Sequence, residues 1–166
     1  MERLWSPWRH AYVTRSDEAG GCVFCDAPHL DDGRALVVDE GATCFVILNL
    51  YPYNSGHLMV VPRRHVATLA ALTRDEVVEL GVLTRRAEMA LTEAYQPQGI
   101  NAGMNLGRPA GAGVADHIHV HLVPRWTGDT NFMTVVGEVR VLPEELPATA
   151  ARLRPIFARL HHEDAG

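Results

Sequence analysis

Three histidines at alternate positions are the most chemically suggestive feature of the 166-residue sequence. The run Asp116–Arg125 contains His117, His119 and His121, each separated from the next by one aliphatic residue. Side chains alternate between the faces of a β-strand, so the imidazoles would share one face with neighbours about 6.6–7 Å apart. One neutral imidazole could attack an electrophile while the others fix its tautomer. Alternatively, an H-x-H pair could bind a metal ion, or the strand could simply be solvated.

A glycine-rich loop directly before these histidines favours the nucleophile. Asn105-Leu106-Gly107 and Gly111-Ala112-Gly113 form an uncharged stretch whose backbone N–H groups could point at phosphate oxygens. Such a loop leading into three histidines indicates a phosphoryl-type electrophile, a histidine nucleophile and backbone stabilisation of the developing negative charge. All 15 basic residues are Arg, which excludes a P-loop lysine, a Schiff-base lysine and a lysine general base.

A second group of candidate ligands is Cys22-Val23-Phe24-Cys25. This C-x-x-C spacing is typical of a zinc site or a redox pair, and it also occurs by chance. No thioredoxin-like βαβ pattern surrounds it, which argues against the redox pair. A zinc ion needs two further ligands, and His29 is the candidate nearest in sequence.

The composition limits the class of protein. With 47% hydrophobic and 21% charged residues, the chain can bury a core. The formal charge of −5 argues against a broad nucleic-acid surface. No apolar run reaches the roughly 18–20 residues of a membrane span, and neither a signal peptide nor a disulfide framework is apparent, so we expect a cytoplasmic protein. The length suits one domain, 1–166, with an N-terminal arm over 1–20 and a C-terminal extension over 126–166.

Hydrophobic periodicity predicts an α+β fold with a mainly antiparallel sheet. Thr73 and Glu76 have the spacing of a capping box at the start of a long helix over 74–95. A last amphipathic helix runs through Leu146–Leu160, and Pro155 should kink or restart it. The predicted strands cover residues 35–38, 42–48, 57–61, 100–106, 117–123 and 133–142.

The histidine run resembles the signature of the histidine triad (HIT) family, His-x-His-x-His followed by apolar residues. The resemblance covers about residues 22–125, and it implies a HIT-like fold with one long central helix and a C-terminal helix. The flanks 4–9 and 128–132 resemble the branch that includes bacterial diadenosine tetraphosphate phosphorylases. Further family landmarks occur in the expected order at Asn49, Gly56-His57, Val61-Pro62, His65, Asn105-x-Gly107 and Pro124-Arg125.

The resemblance implies a role for each matching residue. His119 would be the nucleophile on an α-phosphorus, with His121 and His57 beside it, binding phosphate and tuning the imidazole. Asn49 would bind ribose, and Ile47 and Phe45 would contact the base. The phosphates and the leaving-group oxygen would meet Asn105, Gly107, Gly111 and Gly113. Many relatives have side-chain donors where this chain has Gly113 and Val114, so only backbone donors remain there.

In zinc-containing members of the family, histidines at two of the matching positions are ligands. The resemblance therefore implies a structural zinc site formed by Cys22, Cys25, His65 and His117, with His29 as a substitute. Mg²⁺ could accompany a polyphosphate substrate. Aromatic residues such as Trp5, Trp8 and Trp126 would contact a partner in a homodimer.

The implied function is cleavage of a dinucleoside polyphosphate at the α-phosphorus through a nucleotidyl-histidine intermediate, with phosphate resolving that intermediate. If water resolves it instead, the chain is a hydrolase or a purine-nucleoside phosphoramidase. A more distant alternative is a non-catalytic module that binds zinc or nucleotide, and another is an H-x-H oxygenase. His121 disfavours hexose-phosphate uridylyl transfer, because the related uridylyltransferases have Gln at that position.

Overall fold

A computed structural model of the chain describes residues 21–31, 35–129 and 144–164. The predicted N-terminal arm and the predicted strand 133–142 lie outside the described residues, as do residues 130–132 of the flanking motif. Within the described part of the chain, no helix is both long enough and apolar enough to cross a membrane.

A five-stranded antiparallel sheet forms the centre of the molecule. Its spatial order is β1-β2-β3-β5-β4, so the last two strands in sequence exchange places in the sheet. Every neighbouring pair is antiparallel, which confirms the predicted α+β class. The strands are β1 (Val37–Glu40), β2 (Cys44–Leu48), β3 (Leu58–Pro62), β4 (Gly99–Gly103) and β5 (Val120–Arg125). The α-helices of the described residues include α1 (Val23–Asp26), α2 (Arg74–Tyr95) and α3 (Leu146–Asp164).

Helix α2 has the predicted bounds because both of its ends are determined locally. The Glu76 backbone N–H donates to Thr73 Oγ1 at 3.3 Å, and the Thr73 N–H donates back to the Glu76 carboxylate at 2.7 Å. This capping box satisfies N–H groups that the first turn leaves unpaired. Gln96 ends the helix in the left-handed conformation, with a φ of 45°, and Pro97 follows it.

Helices α2 and α3 cover one face of the sheet and bury the main apolar core there. Pro155 lies inside α3, which continues through it as one helix without the predicted restart. Leu153 and Phe157, on either side of the proline, are both almost fully buried. Their packing therefore supports the helix where proline removes a backbone hydrogen bond.

The histidine run enters the sheet later than predicted. β5 begins at Val120, so His117 and His119 precede the strand and only His121 lies in it. The Ile118 N–H donates to the carbonyl of Val66 at 2.7 Å, outside the sheet ladder. The rings of His119 and His121 are 4.8 Å apart between centroids. The two rings are in edge contact, with their planes at 78°.

Candidate active site

A cavity opens beside His119 on the face of the sheet away from the main core. About 50 Å³ of its interior is accessible to a water-sized molecule, and the cavity is open to solvent at its mouth. Both polar and apolar side chains contribute to its wall, together with backbone of the glycine-rich loop. Its lining residues are Phe24, Asn49, Tyr51, Tyr53, Met59, Gly111, Gly113, Val114, His119 and His121.

His119 has the features of a neutral nucleophile. Its ring Nδ1 lies 2.9 Å from the carbonyl oxygen of His117, and because a carbonyl only accepts, Nδ1 must carry the proton. In the neutral ring, Nε2 therefore keeps its lone pair. Burial lowers the pKa of His119 below its ordinary value, which favours the neutral form. Nε2 of His119 can therefore form a bond to an electrophile bound in the cavity.

A chain of hydrogen bonds sets the tautomer of His121. The backbone N–H of Tyr53 donates to His57 Nδ1 at 3.1 Å, so the proton of the neutral His57 ring is on Nε2. That Nε2 lies 3.0 Å from His121 Nδ1, which therefore accepts. His121 consequently carries its own proton on Nε2, where it is able to donate to a phosphate oxygen. The predicted catalytic histidines thus lie together, with His57 buried behind His121.

Asn49 lies at the edge of this hydrogen-bond chain. Its backbone N–H donates to the carbonyl of His57 at 3.0 Å, and its side-chain oxygen accepts from the N–H of Tyr51 at 2.9 Å. Its Nδ2 lies 3.4 Å from His57 Nδ1. These bonds hold the amide at the cavity wall, where the family resemblance predicts a ribose contact.

The glycine-rich loop brings backbone to the cavity at two of its predicted positions, Gly111 and Gly113. Gly107 and Gly111 have φ values of 84° and 94°, a region that side chains with a Cβ rarely adopt. The side-chain N–H of Asn105 donates to the Gly111 carbonyl at 3.3 Å. Asn105 and Gly107 therefore brace the loop, and neither lines the cavity itself.

Phe45 and Ile47, the predicted base contacts, do not line the cavity either. Both are almost fully buried in a small apolar cluster that includes Phe24, Met59 and Val61. Phe24 and Met59 form the cavity wall in front of them. Phe45 and Ile47 thus support that wall from behind in this structure.

Four cavity residues were not predicted, namely Phe24, Tyr51, Tyr53 and Met59, whereas Val114 lies beside Gly113 in the predicted phosphate segment. The alternation of side chains along a strand predicts that Met59 faces the same side as His57, two residues before it. Met59 also pairs across the sheet with His121. The two tyrosines belong to the turn that leads into His57. Phe24 lies between two candidate metal ligands, and the sequence pattern there indicates only the metal site.

A cluster of potential metal ligands lies next to His119. The ligand atoms of Cys22, Cys25, His65 and His117 all lie within 4.8 Å of one another. His117 donates from Nε2 to the carbonyl of Pro62 at 2.8 Å, so its Nδ1 is unprotonated and faces the two sulfurs at 3.2 and 3.6 Å. His65 Nδ1 lies 3.4 Å from the Cys25 sulfur.

The donor set and its spacing fit a tetrahedral zinc ion. Zn–S and Zn–N bonds of about 2.3 and 2.0 Å imply a sulfur–nitrogen separation of about 3.5 Å around one ion, close to the three separations observed. Burial and the neighbouring Cys22 raise the pKa of Cys25 to about 11, so thiolate ligands need a compensating cation. Within the described residues, neither His29 nor the pair of His119 and His121 joins such a cluster.

The chain is similar in sequence to known proteins. Residues 33–128 match the model of the HIT domain family. An AP-4-A phosphorylase of Mycobacterium tuberculosis is 42% identical over 167 aligned residues, which cover 96% of this chain and 86% of the relative. A bis(5'-adenosyl)-triphosphatase of Dictyostelium discoideum is 30% identical over 119 residues, covering 68% of this chain and 79% of the relative.

The fold also matches solved structures. A Zn-bound histidine triad family protein from Mycobacterium smegmatis superposes with a TM-score of 0.69 and 28% sequence identity, over 86% of this chain and 97% of the other. The family match covers more than half of the chain, and the mycobacterial relative covers nearly all of it. The chain therefore belongs to the HIT domain family.

Proposed function

We propose that this HIT enzyme cleaves a dinucleoside polyphosphate at the α-phosphorus and transfers the nucleotidyl group to inorganic phosphate. The observation that carries the proposal is the buried His119 ring, whose Nδ1 is committed to a backbone carbonyl. That bond leaves Nε2 as the nucleophile at the cavity. The relatives named as an AP-4-A phosphorylase and a bis(5'-adenosyl)-triphosphatase support the substrate class.

In the first step, the lone pair of His119 Nε2 attacks the α-phosphorus. A P–N bond forms as the P–O bond to the rest of the polyphosphate breaks, and the leaving oxygen takes the electron pair. The imidazolium formed in this way still donates its Nδ1–H to the carbonyl oxygen of His117. This hydrogen bond stabilises the positive charge. The Nε2–H of His121 donates to an oxygen of the transferred phosphoryl group.

In the second step, an oxygen of inorganic phosphate attacks the same phosphorus. The P–N bond breaks, its electron pair returns to His119 Nε2, and a nucleoside diphosphate leaves. With diadenosine tetraphosphate as the substrate, the two products are ATP and ADP. Mg²⁺ bound to the polyphosphate would offset part of its negative charge.

Substrate binding in this proposal uses the predicted residues. Asn49 binds ribose from the cavity wall, and the backbone at Gly113 donates to phosphate. Gly111, whose N–H donates to the Arg108 carbonyl, shapes the loop beside it. Asn105 and Gly107 hold that loop in place and so affect phosphate binding through it. Phe45 and Ile47 set the depth of the base pocket through the apolar wall in front of them.

Product analysis tests the catalytic proposal. Wild-type protein given diadenosine tetraphosphate should produce ADP only when inorganic phosphate is present. His119→Gly should lower kcat/KM by about 10³-fold or more, because the covalent route is lost. His162→Ala is the matched control, since this exposed histidine lies in α3, and it should retain wild-type turnover.

Three outcomes favour the alternatives. AMP and ATP formed regardless of phosphate would support the HIT hydrolase, and turnover of an adenylated amine would support the phosphoramidase. Nucleotide binding without turnover of any of these substrates would support a non-catalytic zinc or nucleotide-binding module. Turnover that survives in His119→Gly would contradict the covalent mechanism.

We also propose that the cluster of Cys22, Cys25, His65 and His117 holds a structural zinc ion. Purified wild-type protein should contain about one zinc per chain by elemental analysis. Cys22→Ser should lose that zinc and lower the Tm by roughly 5 °C or more, because metal binding stabilises only the folded chain. His29→Ala, the control, should keep the zinc content and the Tm of the wild type. A zinc content that Cys22→Ser leaves unchanged would rule out this site.

A homodimer is the assembly that we propose, with a second copy pairing along β4. This strand lies at the edge of the sheet, is largely exposed and carries no charged side chain. Such an edge is a template for pairing with another strand, and twofold symmetry would allow the same strand of a second copy to fill it. A groove beside it is lined by residues of α2 and β4, including Thr84, Glu88, Ile100 and Ala102.

Sedimentation measurements test the dimer. Wild-type protein should sediment with twice the chain mass, and Ala102→Arg should shift it towards the monomer by placing charge in the groove. Val78→Arg adds the same charge at an exposed position of α2 outside the groove and should leave the dimer intact. A wild-type monomer at all concentrations, or equal effects of both variants, would contradict pairing through β4.

A further inference from the structure

Helix α1 takes part in both sites at once. Cys22 and Cys25 belong to the metal cluster, while Phe24 between them lines the cavity. The helix is only four residues long. Because Phe24 and Cys25 are consecutive, a metal ion that holds the two cysteines also limits where the Phe24 side chain can lie.

The Phe24 ring packs against two members of the histidine triad. Its centroid lies 4.8 Å from that of His119, with the planes at 49°, and 5.5 Å from that of His117, with the planes at 78°. Phe24 is 4% exposed, so the ring is enclosed and has little freedom to turn. Its packing restricts the orientation of the His119 imidazole about the bond that leads to the ring.

The hydrogen bond to the His117 carbonyl fixes one point of the His119 ring, namely Nδ1. A single hydrogen bond still allows the ring plane to tilt. The Phe24 contact on the ring restricts that tilt, and the tilt decides where the Nε2 lone pair points.

We propose that Phe24 is a positioning residue that couples metal occupancy at the Cys22/Cys25 cluster to nucleotide binding at His119. This inference rests on the proposed nucleotide site. The zinc ion fixes the position of α1, and α1 fixes the position of the Phe24 side chain. Phe24 in turn restricts the His119 ring and forms part of the cavity wall. Since coupling between two binding events is reciprocal, a nucleotide in the cavity strengthens zinc binding by the same factor by which zinc strengthens nucleotide binding.

The effect of a nucleotide on zinc binding can be measured on the zinc-loaded chain and requires no turnover. The zinc affinity is determined by competition with a chromogenic chelator, with and without saturating AMP. AMP should raise the zinc affinity of the wild-type chain by about 5-fold or more, the usual lower range of such couplings. Phe24→Leu should still bind about one zinc, and AMP should change its zinc affinity by less than about 2-fold.

Two further variants separate positioning from general damage. Phe24→Tyr retains an aromatic ring and should restore the wild-type response to AMP. Leu30→Ala removes an exposed apolar side chain just after α1 and should leave the response unchanged. If Phe24→Leu does not fold, the Phe24→Tyr and Leu30→Ala responses still test the inference, because both must match the wild type.

The inference is overturned if AMP binds the wild-type chain and its zinc affinity does not change. It is equally overturned if Phe24→Leu responds to AMP as strongly as the wild type does. Either result would leave the proposed function intact where the wild-type chain still turns over diadenosine tetraphosphate. Absence of that turnover, together with a normal AMP response, would instead contradict the proposed function alone.

Discussion

His117 makes the bonds on which the two sites of this protein depend. Its ring donates from Nε2 to the Pro62 carbonyl, which turns Nδ1 towards the cysteine sulfurs. Its backbone carbonyl accepts from His119 Nδ1, which leaves Nε2 of that ring unprotonated. In the proposed function, one residue therefore gives the metal cluster a ligand and gives the cavity a nucleophile with a defined tautomer. The proposal thus assigns three different roles to the three histidines of the triad despite their regular spacing.

The chemistry around His119 uses few formal charges. Within the described part of the chain, no Arg lines the cavity, and the sequence contains no Lys. The backbone of the glycine-rich loop at Gly113 and the Nε2–H of His121 are among the uncharged donors proposed for phosphate. The family resemblance implies side-chain donors in many relatives where this chain has Gly113 and Val114, so the proposed phosphate contacts there are made by the backbone. Preorganised dipoles of this kind stabilise developing charge without reorganising during the reaction.

Much of this arrangement follows from local sequence rules, and the remainder depends on tertiary contacts. Thr73 and Glu76 predict where α2 begins because capping is a local interaction. The start of β5 at Val120 was missed because it depends on Ile118 bonding to Val66, which is distant in sequence. Phe24 was also missed as a cavity residue, because its contact with His119 joins residues that are distant in sequence. The family resemblance proposed four metal ligands, and the structure brings those four side chains together, whereas spacing alone suggested His29.

The central claim is that Nε2 of His119 forms a covalent bond to the α-phosphorus of the substrate. Rapid quenching of the wild-type protein with diadenosine tetraphosphate in phosphate-free buffer, followed by peptide mass spectrometry at neutral to alkaline pH, tests it most directly, because phosphoramidates hydrolyse in acid. The account predicts an adenylyl adduct on the peptide that contains His119, located on that residue by fragmentation, which disappears when phosphate is added. An adduct on another residue, or rapid turnover with no adduct at any quench time, would contradict it.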